Sequence, residues 1–165
     1  MATKTTTIGT DASRDYSTLS AAETDVGAWA TAGDDLVMEL YDDGQINEDS
    51  VFLWNDSTVP TSTGSLKIVN EGGSYHAGIP GEGVVIKWDH TIGDSISFSL
   101  TGGNDFPKVL QGFEMKYVAS TAMGHLRAIF FPLLDSTTAK VLDMMIHGWN
   151  TNSSSFQSRH IHAQT

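Results

Sequence analysis

The hydrophobic positions change their spacing a fifth of the way along the chain. Over residues 17–30, apolar side chains recur every three or four positions, as on one face of a helix: Leu19, Ala22 and Val26. Ser17 is one candidate N-cap, and Ser20-Ala-Ala-Glu23 matches a capping box that would start the helix three residues later. Gly33 supplies a stop. The pattern predicts one amphipathic helix near residues 17–30.

From Leu36 onward the hydrophobic residues alternate with polar ones, as in half-buried strands. The predicted strands are Leu36–Tyr41, Val51–Trp54, Leu66–Val69, Val84–Trp88, Ile96–Leu100, Phe113–Val118, Leu126–Phe131, Leu142–Ile146 and Phe156–Ala163. Turn-forming Gly, Asn, Asp and Ser residues separate them, as in Asp42-Asp43-Gly44 and Gly81-Glu82-Gly83. Many short strands between turns predict an all-β protein.

The strand pattern fits a sandwich, a jelly roll or a solenoid. Two features favour the solenoid. The loops rarely carry the two-residue Asn-Gly or Asp-Gly link of tight hairpins. An amphipathic helix directly before the first strand is also what a parallel coil needs to cover its open end. No exact internal repeat is visible, so periodicity leaves these architectures open.

Several segments carry a family resemblance. Arg14–Glu23, the strand Leu36–Tyr41 with its turn and Glu48, the stretch His76–Ile86, and Gln111–Met115 occur in the order seen in right-handed parallel β-helix proteins. The chain thus resembles the pectate-lyase-like proteins of phage and bacterial surfaces. The resemblance implies a short right-handed parallel β-helix with an N-terminal capping helix, with a β-sandwich or jelly roll as the alternative.

The expected domain organisation has two parts. Residues 1–13 are Thr-rich and short of large apolar side chains, so they are expected to form an extended N-terminal arm. The resemblance implies that residues 14–165 form a single β-helix domain. Chains of that family usually continue through further coils, whereas no C-terminal cap is evident after His160-Ile161-His162. Either the last coil is covered by a partner, another copy included, or the chain is the leading part of a larger assembly. A homo-oligomer is expected, with a trimer favoured.

Composition restricts the classes of partner. The chain has 165 residues, 39% of them hydrophobic and 18% charged, which suits one folded domain. Its net charge of −11 repels nucleic-acid phosphates and anionic lipid, so neither nucleic acid nor membrane is an expected partner. It has no cysteine, and the fold is expected to depend on burial and hydrogen bonds alone. The polar first ten residues lack the apolar core of a signal peptide.

Candidate catalytic residues each have a simpler structural interpretation. Asp34-Asp35 and Asp42-Asp43 are carboxylate pairs, but neighbouring strand residues point to opposite faces, and turn residues serve turn geometry. Trp88-Asp89-His90 is one residue short of a pectate-lyase motif, and we expect Trp88 in the core with Asp89 and His90 in a turn. No catalytic and no cofactor-binding residue is assigned.

Two further sets were weighed in the same way. His160 and His162 would share a face of a strand and could reach one metal, but an unliganded pair is the simpler interpretation, and no metal site is assigned. The tryptophans could line a sugar groove, but large side chains at element ends usually close a core: Trp29, Trp54, Trp88 and Trp149.

These observations lead to one expected function and one alternative. We expect a non-enzymatic structural protein on the surface of a virion, assembled in the host cytoplasm: a phage capsid decoration (cement) protein or a component of a tail fibre or spike. Its expected partners are further copies of itself and other virion proteins. The alternative is a tailspike-like β-helix that binds or degrades polysaccharide as a lyase or glycoside hydrolase.

Overall fold

A computed structural model of the chain describes residues 2–31, 33–48, 52–54, 64–71, 78–90, 95–100, 108–119, 125–132, 139–147 and 157–164. Within these ranges it has thirteen strands and two short helices. The helices are α1 (Leu19–Thr24) and α2 (Val26–Trp29). The strands are β1 (Thr3–Ile8), β2 (Asp35–Leu40), β3 (Ile46–Glu48), β4 (Phe52–Trp54), β5 (Leu66–Asn70), β6 (Val85–His90), β7 (Ser95–Leu100), β8 (Lys108–Gln111), β9 (Glu114–Ala119), β10 (His125–Pro132), β11 (Ala139–Leu142), β12 (Met145–His147) and β13 (Gln157–Gln164). The described part of the chain is therefore all-β, as the alternating pattern predicts.

The strands form three parallel sheets, which we name A, B and C. Sheet A has the order β1-β2-β5-β8-β11, sheet B β3-β6-β9-β12 and sheet C β4-β7-β10-β13. Every pairing between the described strands is parallel. From β2 onward the chain visits sheets A, B and C in a fixed cyclic order. An antiparallel sandwich or jelly roll, the alternative architecture, does not describe these strands.

The spacing between stacked strands explains why no sequence repeat is visible. In sheet A, Leu36 pairs with Leu66, which pairs with Lys108, which pairs with Ala139. Two of these steps cover about thirty residues, and the middle step is longer because residues 71–84 link β5 to β6. The corresponding links after β8 and β11 have only two residues. Unequal links place equivalent positions at unequal distances along the chain.

The core is built from columns of apolar side chains, one from each stacked strand. In sheet B, Ile46, Ile86 and Met115 follow one another in register and have no exposed surface. In sheet A, Met38 is in register with Ile68, which is likewise fully buried. Because each sheet presents one apolar face inward, the alternation in sequence becomes burial on one side and polarity on the other.

Helix α1 covers the β1–β4 end of the sheets and packs against β4 and β1. The single helix predicted near residues 17–30 is instead two short helices that meet at Asp25. Its predicted apolar face is nevertheless buried: Leu19 and Ala22 in α1, and Val26 in α2. The cap differs from both predictions, since the hydroxyl of Thr18 accepts the amide of Ala21 at 3.1 Å. Ser20 lies inside the helix, and its hydroxyl donates to Glu48 of β3 at 2.5 Å. That carboxylate, 28 residues away from Ser20, replaces the predicted capping box. None of the described helices is long and apolar enough to cross a lipid bilayer.

The N-terminal residues belong to sheet A. The segment expected to be an extended arm contains β1, which pairs in parallel with β2 from Thr3 to Ile8. The other edge of β1 is covered near its end, because Tyr16 bridges to Ile8 and Asp15 accepts the amide of Thr7 at 2.8 Å. These contacts occupy backbone groups that would otherwise be open to strand addition.

Some strand predictions needed correction. Four strands were not predicted: β1, β3, β8 and β11. The predicted strand Leu142–Ile146 instead spans the end of β11, a two-residue turn and the start of β12. Asp89 and His90, expected in a turn, lie in β6. Three- and four-residue strands are too short to show a period of two, which explains most of these misses.

Candidate functional site

A polar cleft lies over the outward face of sheet B. Its volume is about 340 Å³, and one wall is the link between β2 and β3 while the other is the loop that precedes β6. The floor comes from alternating, outward-facing positions of β6 and β9. The lining residues are Asp42, Gly44 and Gln45 on the link, Pro80, Gly81 and Gly83 on the loop, and Val85, Glu114 and Lys116 on the floor.

Both walls need glycine for backbone reasons. Gly44 has a φ of 143° and Gly81 a φ of 82°, a region that side chains with a Cβ disfavour. At Gly44 a Cβ would also collide with the hydroxyl of Thr10. The glycines that the sequence predicts as bends therefore shape the two sides of the cleft.

Glu114 holds the loop wall in place. Its side chain lies on the floor of the cleft, yet the residue is only 1% exposed. Its carboxylate accepts the backbone amide of Gly81 at 2.6 Å. This bond joins the loop to β9 across 33 residues of sequence. The function of Glu114 that this geometry shows is to fix residues 78–83 over the sheet.

Asp43 holds the opposite wall. Its carboxylate accepts the Arg14 guanidinium Nε at 2.8 Å and the amide of Thr10 at 2.6 Å. Arg14 also lies over the ring of Tyr41, 3.5 Å from the ring centroid. Burial raises the pKa of Asp43, but the hydrogen bonds from Arg14 and Thr10 outweigh it and hold that pKa below its ordinary value. Asp43 therefore stays ionised and fixes the link between β2 and β3.

The remaining charges in the cleft are those of Asp42 and Lys116. Asp42 is exposed and Lys116 half-buried. Lys116 is in register with Lys87 on the neighbouring strand, so two lysines stand side by side on the outward face of sheet B. A carboxylate opposite an ammonium group can bind a small polar molecule. Glycoside hydrolysis needs two carboxylates, one on each side of the scissile bond. Of the two carboxylates that line this cleft, that of Glu114 already accepts the backbone amide of Gly81.

The aspartate pairs singled out in the sequence have structural partners. Asp34 accepts the Thr31 hydroxyl at 2.7 Å and the Ala2 amide at 3.2 Å. Asp35 accepts the amide and hydroxyl of Ser65 at 2.9 and 2.8 Å. The bonds from Ala2 and Ser65 join neighbouring segments of sheet A, and the bond from Thr31 is local. Of the two pairs, Asp42 alone lines the cleft.

The other singled-out residues are distributed over the fold. Trp88 is fully buried, as expected, and Trp29 is half-buried with its indole N–H donating to the Ala22 carbonyl at 3.0 Å. Trp54 lies in β4, and Trp149 lies outside the described residues. His160 and His162 lie in β13, at alternate positions of that strand. Within the described ranges, no three His, Asp or Glu side chains are grouped so that they could hold a metal ion.

Sequence reasoning did not identify Glu48 or Glu114 as important. Both are nearly fully buried carboxylates that accept backbone amides from distant segments. The feature of the sequence that could have drawn attention to Glu114 is a charged residue between two apolar ones, Phe113 and Met115. That signal does not reveal which amide the carboxylate binds.

Comparisons with family models, curated proteins and solved structures find no match to this chain. The functional argument therefore depends on the residues and geometry described above.

Proposed function

We propose that the three sheets are the faces of a short right-handed parallel β-helix. The supporting observation is the cyclic order of the strands, in which each sheet receives every third strand and every described pairing is parallel. Parallel crossovers between strands of one sheet are right-handed in nearly all known cases. Helix α1 would then plug the leading end of the coil.

Disulfide trapping tests this architecture, because the chain has no cysteine of its own. Val37 and Lys67 are register partners in β2 and β5, at positions facing away from the core. Adjacent strands lie about 4.8 Å apart, within disulfide range. The double variant Val37→Cys/Lys67→Cys should form an intramolecular disulfide. The control Val37→Cys/Val69→Cys, two residues out of register on the same face, should not; the opposite result would contradict parallel stacking.

We further propose that the protein is a non-enzymatic structural component of a virion, either a capsid decoration protein or part of a tail fibre or spike. The observation that most supports a structural role is the set of hydrogen bonds that its carboxylates accept. Several of those described bind backbone amides or hydroxyls of other segments: Asp15, Asp35, Asp43, Glu48 and Glu114. Such side chains strengthen a scaffold and are not available for proton transfer to a substrate.

Immunogold electron microscopy of virus particles from the encoding organism tests this role. Antibodies against the purified chain should label the particle surface in a regular arrangement, and light scattering should give the mass of an oligomer, with a trimer favoured. Purified particles that carry no label, with the chain found free in the lysate, would contradict the proposal.

A second candidate function is binding or cleavage of a polysaccharide. The cleft supports it, because Asp42 and Lys116 offer polar groups in a volume of about 340 Å³. It predicts that Asp42→Asn weakens glycan binding at least tenfold, whereas Asp11→Asn, at an exposed turn outside the cleft, has no effect. Release of reducing ends from bacterial surface glycans, lost in Asp42→Asn, would place this function above the structural one.

A further inference from the structure

Two charged side chains that line the cleft over sheet B form no hydrogen bond or ion pair with another described residue: Asp42 and Lys116. The other acids near the cleft walls are already engaged. Glu114 accepts an amide of the loop wall, and Asp43 binds the Arg14 guanidinium. The cleft therefore presents one carboxylate and one ammonium group to an incoming molecule.

These two charges stand on opposite sides of the cleft. Asp42 lies on the link that leads into β3, whereas Lys116 is on β9, and β6 lies between these two strands in sheet B. Adjacent strands are about 4.8 Å apart, so the backbones of β3 and β9 are about 10 Å apart. Within the described ranges, the one ion pair is that of Arg14 with Asp43. A ligand that contacts both Asp42 and Lys116 must therefore carry opposite charges several ångströms apart.

The net charge of the chain and the size of the cleft restrict the ligand further. The chain carries a net charge of −11, which repels an anion as it approaches. A simple cation is attracted to the chain, but Lys116 opposes it inside the cleft. A zwitterion has no net charge to be repelled, and each of its ends meets a group of opposite sign. The volume of about 340 Å³ lies at the lower end of the roughly 300–1,000 Å³ range of small-molecule sites.

We infer that the cleft binds a short zwitterionic peptide, with its amino terminus at Asp42 and its carboxyl terminus at Lys116. An extended peptide spans at most about 3.3–3.6 Å per residue, so about three residues cover the distance between β3 and β9. A single amino acid is too short to contact both side chains. The binding is weak, because Asp42 is exposed and exposed ion pairs contribute little free energy. It depends on the cleft alone, and on neither the virion role nor glycan binding.

Glycine oligomers test both the charges of the ligand and their spacing. In an NMR titration at neutral pH, triglycine should shift the backbone amide signals of Gly44, Gly81 and Gly83, which line the cleft. Glycine itself should bind at least about threefold more weakly than triglycine, because it reaches only one of the two charges. N-acetyl-triglycine lacks the ammonium group and triglycine amide lacks the carboxylate. Each of them should also bind at least about threefold more weakly than triglycine.

Matched variants of the protein test which side chain meets which end of the peptide. Asp42→Asn and Lys116→Met should each weaken triglycine binding at least about threefold. Asp11→Asn and Lys67→Met make the same chemical changes at exposed positions outside the cleft and should leave it unchanged. Asp42→Asn should not weaken the binding of N-acetyl-triglycine further, since that ligand has no ammonium group to lose. Lys116→Met should likewise not weaken the binding of triglycine amide. Circular dichroism checks that each variant is folded.

Three results would overturn the inference. One is the absence of shift changes at the cleft amides with triglycine up to about 10 mM. Another is triglycine binding that neither blocking group weakens, since recognition would then involve the peptide backbone and not its charged ends. The third is an equal loss of binding in the cleft variants and in their controls, which would indicate an effect of overall charge. All three leave the virion proposal intact. Binding of a neutral glycan at the cleft in place of any zwitterion would also overturn the inference and would favour the second candidate function.

Discussion

Glu48 joins the helical cap to sheet B, and its removal should destabilise the protein more than most single substitutions. The residue is 2% exposed, and its carboxylate accepts the amide of Leu19, the amide of Ser20 at 3.4 Å and the hydroxyl of Ser20 at 2.5 Å. Because Thr18 is the N-cap, these two amides are the first donors of α1, which have no partner inside the helix.

The size of the effect follows from these contacts. In Glu48→Ala the Leu19 amide stays buried without a partner, which costs about 1–3 kcal/mol. Loss of the Ser20 hydroxyl bond adds about 1 kcal/mol, and loss of the anion at the helix N-terminus adds about 0.3–1 kcal/mol. We expect the free energy of unfolding to fall by about 3 kcal/mol, out of a total of about 5–15 kcal/mol for a domain of this kind.

Denaturant unfolding at neutral pH measures this change, with amide hydrogen exchange at Leu19 and Ser20 as a local check. Ser20→Ala should cost about 1 kcal/mol, and the double variant should cost about 1 kcal/mol less than the sum of the two, because one bond is lost in both. Glu39→Ala is the control, since Glu39 is half-buried and its one hydrogen bond within the described ranges is a 3.4 Å contact from the Tyr41 hydroxyl. A Glu48→Ala cost below about 1 kcal/mol, or strict additivity with Ser20→Ala, would refute the reasoning.

Three further predictions use the same unfolding measurement. Asn70 is 8% exposed and in register with Leu40, and its Oδ1 accepts no hydrogen bond from the described residues. Asn70→Leu should therefore stabilise the protein by about 1 kcal/mol. A loss of stability would mean that the side-chain amide has a partner. Asp143 has a φ of 50°, and the equivalent position after the neighbouring strand is Gly112, with a φ of 80°. Asp143→Gly should therefore raise the free energy of unfolding by about 0.5–1 kcal/mol. Asp143→Ala, which keeps a Cβ, should not raise it. Hydrogen bonds from the amide and hydroxyl of Thr7 hold the pKa of Asp15 below its ordinary value. The unfolded state therefore binds this proton more readily, so the stabilisation is present above about pH 4 and is lost as the pH falls through the lowered pKa. Asp15→Asn should flatten that part of the dependence of unfolding free energy on pH. An unchanged dependence would contradict the prediction.

Local pattern was sufficient for the class of structure. Alternating apolar residues such as Leu36, Met38 and Leu40 predict a strand with one buried face, and all three are buried. The spacing of Leu19, Ala22 and Val26 predicts a helix whose apolar face packs inward; that face is buried, although the segment is divided into α1 and α2. These predictions succeed because each depends on neighbours within four residues along the chain.

The short strands and the true helix cap were not predictable in this way. Strands β3 and β12 have three residues each, so they carry no measurable period. Thr18 was passed over for Ser17 and Ser20, since all three are adequate caps by residue type. The choice among them depends on where Glu48 places its carboxylate, which is a tertiary contact.

The candidate site depends even more on tertiary structure. Glu114 meets Gly81 across 33 residues, and Asp43 meets Arg14 across 29. The stacked strands of sheet A repeat at intervals of about thirty residues and at one longer interval, so no fixed sequence separation marks the partners. The cleft therefore exists only once the register of sheet B is set.

By itself, then, the sequence determined an acidic all-β chain with an amphipathic helical segment near residues 17–30, because hydrophobic period and charge are local or additive properties. The tertiary structure decided which strands stack and in what register. It also decided which buried carboxylate satisfies which amide. The physical reason is that a parallel pairing between strands thirty or more residues apart is selected by the burial of whole columns of side chains, and no single segment of the sequence contains that information.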